Sequence, residues 1–337
     1  MDWTKSYSAK WRVCKVNRQT WADGETVRNI ESVSVTRTAN GDLLESGSME
    51  VTGPFENDYY RLIMIAEQGG EVERVDVATL HYVAKDGEHN YGTQMLSIDG
   101  ESVLHSAATT HIGMGGYAPA GIDGAAYAGK LLQSAIIAPV KVEGSFTLND
   151  NIVHEINCYV LDAVWEVLDA GGFCIQIDGR GVVHIKPMPT EPSLTIGSKN
   201  ARLISTGIQF TADTKDIPNR YIVVVGDQKI MAVNDDPESE VSTVRRGYYV
   251  DEIDTSPTQI NGESIFAYTE RKLREASIME DERVYTREYA PDVFLFSIVR
   301  ASIDGLEGDL RVIEQSIECD HGILVEEKAN REIRLWQ

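Results

Sequence analysis

Cysteine is scarce in this sequence. Four residues in 337, Cys14, Cys158, Cys174 and Cys319, lie far apart with no CxxC pair. Disulfide frameworks and thiolate zinc sites both need tighter spacing, which excludes a stapled secreted module and a zinc ribbon. Cys158 and Cys174 sit in apolar contexts and read as small core residues. Long apolar runs are missing too: nothing approaches the roughly 20 residues of a membrane-spanning helix. The opening Met1-Asp2-Trp3-Thr4-Lys5 lacks the apolar core of a signal peptide. The expectation is a chain made and folded in a cytoplasm, with no membrane insertion. Basic residues are few, 31 Lys and Arg against 53 Asp and Glu, for a net charge of −22. Wrapping nucleic acid or adhering to anionic lipid needs clustered cations, so both roles are disfavoured. The acidity implies solubility, or a wall that repels nucleic acid instead of holding it.

Recognisable chemistry is equally sparse. The histidines His81, His89, His105, His111, His154, His184 and His321 form no HExxH and no i, i+4 pair. His105 and His111 flank a Gly-rich stretch and could meet there, but scattered histidines read as surface or satisfied core residues. No GxSxG occurs, and no cysteine has an active-site context. Gly113-Met114-Gly115-Gly116-Tyr117 lacks the Lys-Ser/Thr ending of a phosphate loop and reads as a flexible or interface loop. Asp235, Asp236, Glu238, Glu240, Asp251, Glu252 and Asp254 crowd one short window, opposed by Arg245 and Arg246. Such crowding supplies neither the set carboxylate separation of a glycosidase nor the ligand order of an EF-hand, and it reads as a solvated acidic loop. Tyr59-Tyr60, Tyr248-Tyr249 and Trp336 could stack on sugar, yet strands carry such residues as core and interface material by default. No catalytic residue, no cofactor and no metal ligand is assigned.

What the sequence does contain is strand signal. In residues 1–105, Val33 and Val35 alternate with Ser34 and Thr36, Met49 and Val51 with Glu50 and Thr52, and a longer run covers Val75 to Val83. Period-two alternation buries one face and wets the other. Turn signals separate the runs at Ala22-Asp23-Gly24, Ala39-Asn40-Gly41-Asp42, Gln68-Gly69-Gly70, Lys85-Asp86-Gly87 and Asp99-Gly100. An antiparallel sandwich or barrel follows. Residues 106–192 change character. Asp123 caps an expected helix at about 123–137, and Asp150 or Asn151 caps another at about 151–170. Ile152, Ile156, Val160, Val164 and Leu168 stripe that second helix, and Gly171-Gly172 end it. A hairpin at 174–186 turns through Asp178-Gly179-Arg180-Gly181. In residues 193–337 strands return. Tyr221 to Val225 is a continuous apolar run expected to be buried on both sides, and a helix at about 261–277 takes Asn261 as its cap. The fold class is mainly β with an α+β insertion: two antiparallel β-barrel or sandwich domains around a small helix-and-hairpin domain.

The order of parts carries a resemblance. A strand domain with Leu44-Glu45-Ser46-Gly47-Ser48-Met49-Glu50-Val51-Thr52-Gly53 precedes Ala163-Val164-Trp165-Glu166-Val167-Leu168 and Gly181-Val182-Val183-His184-Ile185-Lys186-Pro187. Ile217-Pro218-Asn219-Arg220-Tyr221 follows, then Ser239 to Gly247 and the helix Ala267 to Ala276. This succession resembles the baseplate hub and tail-tip hub proteins of bacteriophages, in particular the Mu-like and Gram-positive prophage versions, across roughly the whole chain. The resemblance implies a structural protein of the virion tail, assembled in the host cytoplasm and not an enzyme. It implies a homotrimer with two tail-tube-like domains per subunit. Three copies form a pseudo-hexameric ring that adapts the sixfold tube to a threefold spike or tip. The partners so implied are a tail tube or distal tail protein above and a spike or tip protein below, with DNA passing the lumen without specific binding. Many tail-tip hubs carry a wall-degrading module after the hub, whereas this chain stops soon after its last strand pair, so assembly is expected and wall hydrolysis is not. Two other classes remain: a receptor- or carbohydrate-binding tail module, and a hydrolase whose acid pair is distant in sequence.

Overall fold

Alternating apolar and polar residues draw most of this chain into strands. The computed structural model describes residues 7–39, 41, 43–90, 93–113, 116–197, 207–226, 228–255, 257, 264–303, 305–319 and 323–336, without the side chains of 84–86, 88–90, 93 and 94. The architecture is mainly β, divided between two compact units: Met1–Ile208 with Val284–Ala329, and Gln209–Arg283 with Asn330–Gln337.

The first unit opens with seven strands: β1 (Ser8–Val16), β2 (Asp23–Val27), β3 (Ile30–Thr38), β4 (Glu45–Thr52), β5 (Asp58–Gln68), β6 (Glu71–Asn90) and β7 (Thr93–Glu101). They pair antiparallel in the order β3-β4-β7-β6-β5-β1-β2. Val33, Val35, Met49 and Val51 are buried in one apolar cluster, as alternation requires. Strand β5 is instead buried on both faces, with Leu62, Ile63 and Met64 in succession and a bulge between Leu62 and Ile63. The turn expected at Lys85-Asp86-Gly87 does not form. Strand β6 runs on to Asn90 and absorbs the site as an irregularity between Ala84 and Asp86. Gly87 there serves close packing: a Cβ on it would stand 2.8 Å from the Leu96 side chain of β7.

The segment that follows holds α1 (His105–Thr109), β8 (Tyr117–Ala118), α2 (Gly124–Ala135), β9 (Val140–Val142), β10 (Ile152–Val153), α3 (Val160–Gly171), β11 (Phe173–Ile177), β12 (Val183–Pro187) and β13 (Pro192–Gly197). Asp123 caps α2 through the backbone amides of Ala125 and Ala126. Helix α3 starts at Val160, not at Asn151, with Tyr159 as its N-cap. The residues before it are claimed elsewhere: Ile152 pairs with Ala118, and the amide of His154 donates to the Gly116 carbonyl at 2.9 Å. Ile156, on the expected stripe, is 69% exposed. Val160, Val164 and Leu168 do pack, sharing one core with Ala125, Ala128 and Leu132 of α2. Gly172 closes α3 in the left-handed region, at φ 64°. Strands β11 and β12 form the hairpin, and β9 joins β12 in parallel.

The hairpin turn is docked onto the large sheet of this unit. The Trp21 indole donates to the Arg180 carbonyl at 2.7 Å, Arg61 donates to the same oxygen at 3.0 Å, and the Thr79 hydroxyl donates to the Gly179 carbonyl at 3.0 Å.

In the second unit, β14 (Gln209–Ala212) precedes β15 (Arg220–Val225), β16 (Gln228–Val233), α4 (Thr243–Arg246), β17 (Asp251–Asp254) and α5 (Ile265–Ala276). Ser264 caps α5, and Asn261 lies outside the described residues. The small sheet has the order β16-β15-β17, with β16 antiparallel and β17 parallel to β15. Tyr221 and Val223 pack with Tyr268 and Leu273 of α5. In the run Tyr221–Val225 the first three residues are buried, Ile222 as well as Tyr221 and Val223, whereas Val224 is half-buried and Val225 exposed, so burial on both faces holds only for the front of the strand.

Four further strands complete the chain: β18 (Ile278–Glu288), β19 (Ile298–Ile303), β20 (Leu306–Cys319) and β21 (Ile323–Arg334). In the first unit β20 joins β3, extending the sheet to β19 and β13 on one path. A buried polar network crosses this extension. Arg37 donates to Glu45 at 2.7 Å and to Gln315 at 3.2 Å, and Gln315 donates to Glu327 at 2.6 Å. Glu327 also receives Arg287 at 2.8 Å. Such groups are tolerated in an apolar interior only because each charge meets an opposite charge.

Candidate interaction surfaces

The residues that sequence reading weighed for chemistry are dispersed. Cys14, Cys174 and Cys319 are buried free thiols. Burial pushes Cys174 up to about 11 and Cys319 up to about 12, so neither is a thiolate near neutrality. His81 packs against Tyr59 with ring centroids 4.9 Å apart and the planes tilted by 49°, and desolvation holds it below the usual imidazole range. His105 lies near Glu101, whereas His111 stacks on Tyr159 and meets the Asn157 carbonyl at 2.9 Å. His154 is buried against Glu166 at 3.0 Å. The side chains of His89 and His321, with Met114 and Gly115 of the Gly-rich stretch, lie outside the described residues. Among the described residues no three His, Cys, Asp or Glu side chains gather as a metal site, and no helix is long and apolar enough to cross a membrane.

His184 is the most strongly engaged histidine. Its two ring nitrogens meet Asp178 at 3.0 Å and Glu143 at 2.6 Å. The hydrogen bond to Asp178, then that to Glu143, holds its pKa above the ordinary value despite partial burial. Asp178 also accepts the amides of Arg180 and Val182, which shapes the docked turn.

A pocket of about 450 Å³ opens in the first unit between α3 and neighbouring loops. Trp165, Phe173 and Phe296 supply aromatic lining, and Asp162 and Asp169 of α3 bring carboxylates to its margin. Phe296 holds a left-handed backbone, φ 65°, uncommon for so bulky a residue.

The second unit presents a different surface. The face of the small sheet away from α5 carries the cross-strand row Met231, Ile222 and Ile253. Met231 is 57% and Ile253 61% exposed on either side of the buried Ile222, so the two outer residues of this row stand open to solvent. Beside it, Arg220 grips Asp251 through two hydrogen bonds of 2.7 and 2.6 Å and lies 4.0 Å from the Tyr249 ring. Tyr248 lies by Arg246, and Trp336 by Arg274. Tyr59 and Tyr60 are packed into the strand cores. The aromatic residues considered for sugar stacking are thus engaged by arginines or by the core.

The acidic window is built, not loose. Asn219 is fully buried and acts as a hub: its amide donates to the carbonyls of Val241 and Tyr248, both at 3.0 Å, and its side-chain oxygen accepts the Val250 amide at 2.9 Å. Asn234, also buried, donates to the Ser239 hydroxyl at 2.8 Å. In the sequence the acids dominate this window, Asn219 stands out only within the Ile217–Tyr221 stretch, and Asn234 does not stand out at all. An Asn after Pro218 and one before Asp235 were the available signals, since Asn organises turns through its own side chain.

No protein-family model matches this chain, and no curated protein matches it. Solved structures do match. The tail protein from Neisseria meningitidis MC58 superposes with a TM-score of 0.64 at 14% identity, over 97% of this chain and 97% of that one. The 43 kDa tail protein of prophage MuSo2 from Shewanella oneidensis superposes with a TM-score of 0.61 at 12% identity, over 96% of this chain and 98% of that one. From end to end, then, this chain has the fold of a phage tail protein.

Proposed function

We propose that this chain is a structural component of a phage tail or a tail-derived machine, a hub and not an enzyme. The observation that carries this reading is a mainly β fold superposing on two tail proteins over nearly the full length of both partners. Local likeness could arise from any common sheet, but agreement over the whole order of strands, helices and hairpin is harder to reach by chance.

The finer reading is a homotrimer in which residues 1–105 and 193–337 act as tube-like modules, with 106–192 between them. Three copies then form a pseudo-sixfold ring between a tail tube or distal tail protein above and a spike or tip below, in a virion tail assembled in the host cytoplasm. Such a ring needs large heterologous interfaces, each above about 1,000 Å². The exposed Met231 and Ile253 offer apolar surface for one of them. The net charge of −22 suits a lumen that lets DNA pass unheld.

Light-scattering mass and negative-stain imaging of the chain, alone and with its neighbouring tail proteins, test this. A threefold ring with a central hole is expected. A species that stays monomeric with every neighbour rejects the hub. The pocket at Trp165 and Phe296 is where a carbohydrate-binding alternative would act, and glycan-array binding abolished by Trp165→Ala would support that instead.

A further inference from the structure

The second unit contains a groove of about 490 Å³ formed by the last turns of α5 with Ile278, Arg334 and Trp336. Arg271, Arg274 and Arg334 line it against one carboxylate, Glu275. Two of these cations are held: Arg271 by Glu275 at 2.7 Å, and Arg274 by Glu270 at 2.7 Å, with its guanidinium 5.2 Å from the Trp336 ring. The amide of Leu335 donates to the Ser277 carbonyl at 3.0 Å, which pins the segment carrying Arg334 and Trp336 beside the helix. Arg334 itself is exposed and has no ion pair among the described residues. A positive groove with an unspent cation runs against the balance of a chain this acidic.

The same unit carries the complementary feature. In the turn at 234–240, Asn234 and Ser239 are buried and bonded to each other, the Asp236 carboxylate accepts the Glu238 amide at 2.9 Å, and the Asp236 carbonyl accepts the Ser239 amide at 3.1 Å. Asp235, Glu238 and Glu240 are therefore held outward on a fixed backbone, exposed and without an ion pair among the described residues. A preordered loop gives up little entropy on docking, and guanidinium forks match carboxylates in geometry as well as charge.

We propose that the arginine-lined groove of one copy receives the acidic turn of a second copy, with Arg334 pairing Glu238 or Glu240 head to tail. This contact rests on the ring reading above, because joining two different patches is what a heterologous, ring-closing interface does. It weakens with salt, as exposed charge pairs do.

The test mixes isotopically light and heavy full-length protein, couples carboxylates to amines with a zero-length carbodiimide, and maps the products by mass spectrometry. Lys272, beside the groove on α5, is expected to couple to Glu238 or Glu240 of the other isotope. Arg334→Glu is expected to weaken self-association about tenfold, and adding Glu238→Arg with Glu240→Arg to restore it. Coupling confined to single copies or to acids of another tail protein, or an Arg334→Glu variant that associates normally, overturns the contact while the ring stands. A wild-type chain that forms no threefold species removes ring and contact together.

Discussion

A Cβ placed on Gly179 would stand 1.7 Å from the carbonyl oxygen of Asp76 and 2.9 Å from the amide nitrogen of Val77. The hairpin turn between β11 and β12 thus lies directly on the backbone of β6, closer than any side chain permits. Glycine is required here by proximity, not by an unusual dihedral.

Gly179→Ala is therefore expected to cost about 3 kcal/mol or more, since both neighbouring groups are strand backbone and cannot swing aside. Urea denaturation of the full chain measures it. A loss under about 0.5 kcal/mol, the ordinary range for surface changes, would show that the turn does not sit on β6 in solution.

The pair of carboxylates around His184 makes the same region pH-sensitive in two directions. His184 has a raised folded-state pKa, so its contribution is complete below the unfolded value, about 6.5, and fades as pH rises through the folded value. Asp178 has a depressed pKa, lowered by its hydrogen bond to His184 against the opposing effect of burial. Its contribution is present above about pH 4 and fades on acidification. Thermal unfolding followed from pH 3 to 8.5 is expected to give a maximum between these limits, and His184→Gln to flatten the alkaline side by about 1 kcal/mol. An unchanged alkaline limb in that variant would contradict the assignment.

The buried network around Arg37 predicts an asymmetry between one-sided and paired replacement. Glu327→Ala strands the buried Arg287 and removes one of the two acceptors of Gln315, at an expected cost of about 3–5 kcal/mol. Replacing Arg287 and Glu327 together with Met and Leu is expected to cost clearly less, because no uncompensated charge remains. A double-mutant cycle by chemical denaturation decides it, and additive losses would argue against direct coupling.

The mainly β architecture was legible because alternation in β3 and β4 follows directly from one-sided burial. Helix α2 was legible from Asp123, whose side chain does cap it. The front of α3 was not. Ile152 and Ile156 fit a helical stripe locally, but pairing with β8, distant in sequence, captured Ile152, and Ile156 falls in the exposed turn between β10 and α3. The apolar run of β15 could not reveal that burial would end after Val223, since that depends on which elements pack over the strand. The polar network was illegible for a similar reason: Arg37, Gln315 and Glu327 look like surface residues until strands far apart in sequence are brought side by side. The arginine groove depends on the same kind of distant placement, with Arg271 and Arg334 set together by the fold of the second unit.

Asn219 offers the cleanest separation of local from global effects. Asn219→Ala leaves the carbonyls of Val241 and Tyr248 and the amide of Val250 without their side-chain partner. The cost expected is about 2–4 kcal/mol, from unsatisfied buried groups. Asn219→Asp keeps the acceptor for Val250 but cannot donate to the two carbonyls, so it is expected to fall well short of rescue. Because these bonds serve the second unit, hydrogen exchange should quicken in residues 241–250 while the amides of β3 and β5 keep their protection. Uniformly faster exchange along the chain would instead mean that the asparagine supports the whole molecule, and that the acidic turn is not an independently ordered element.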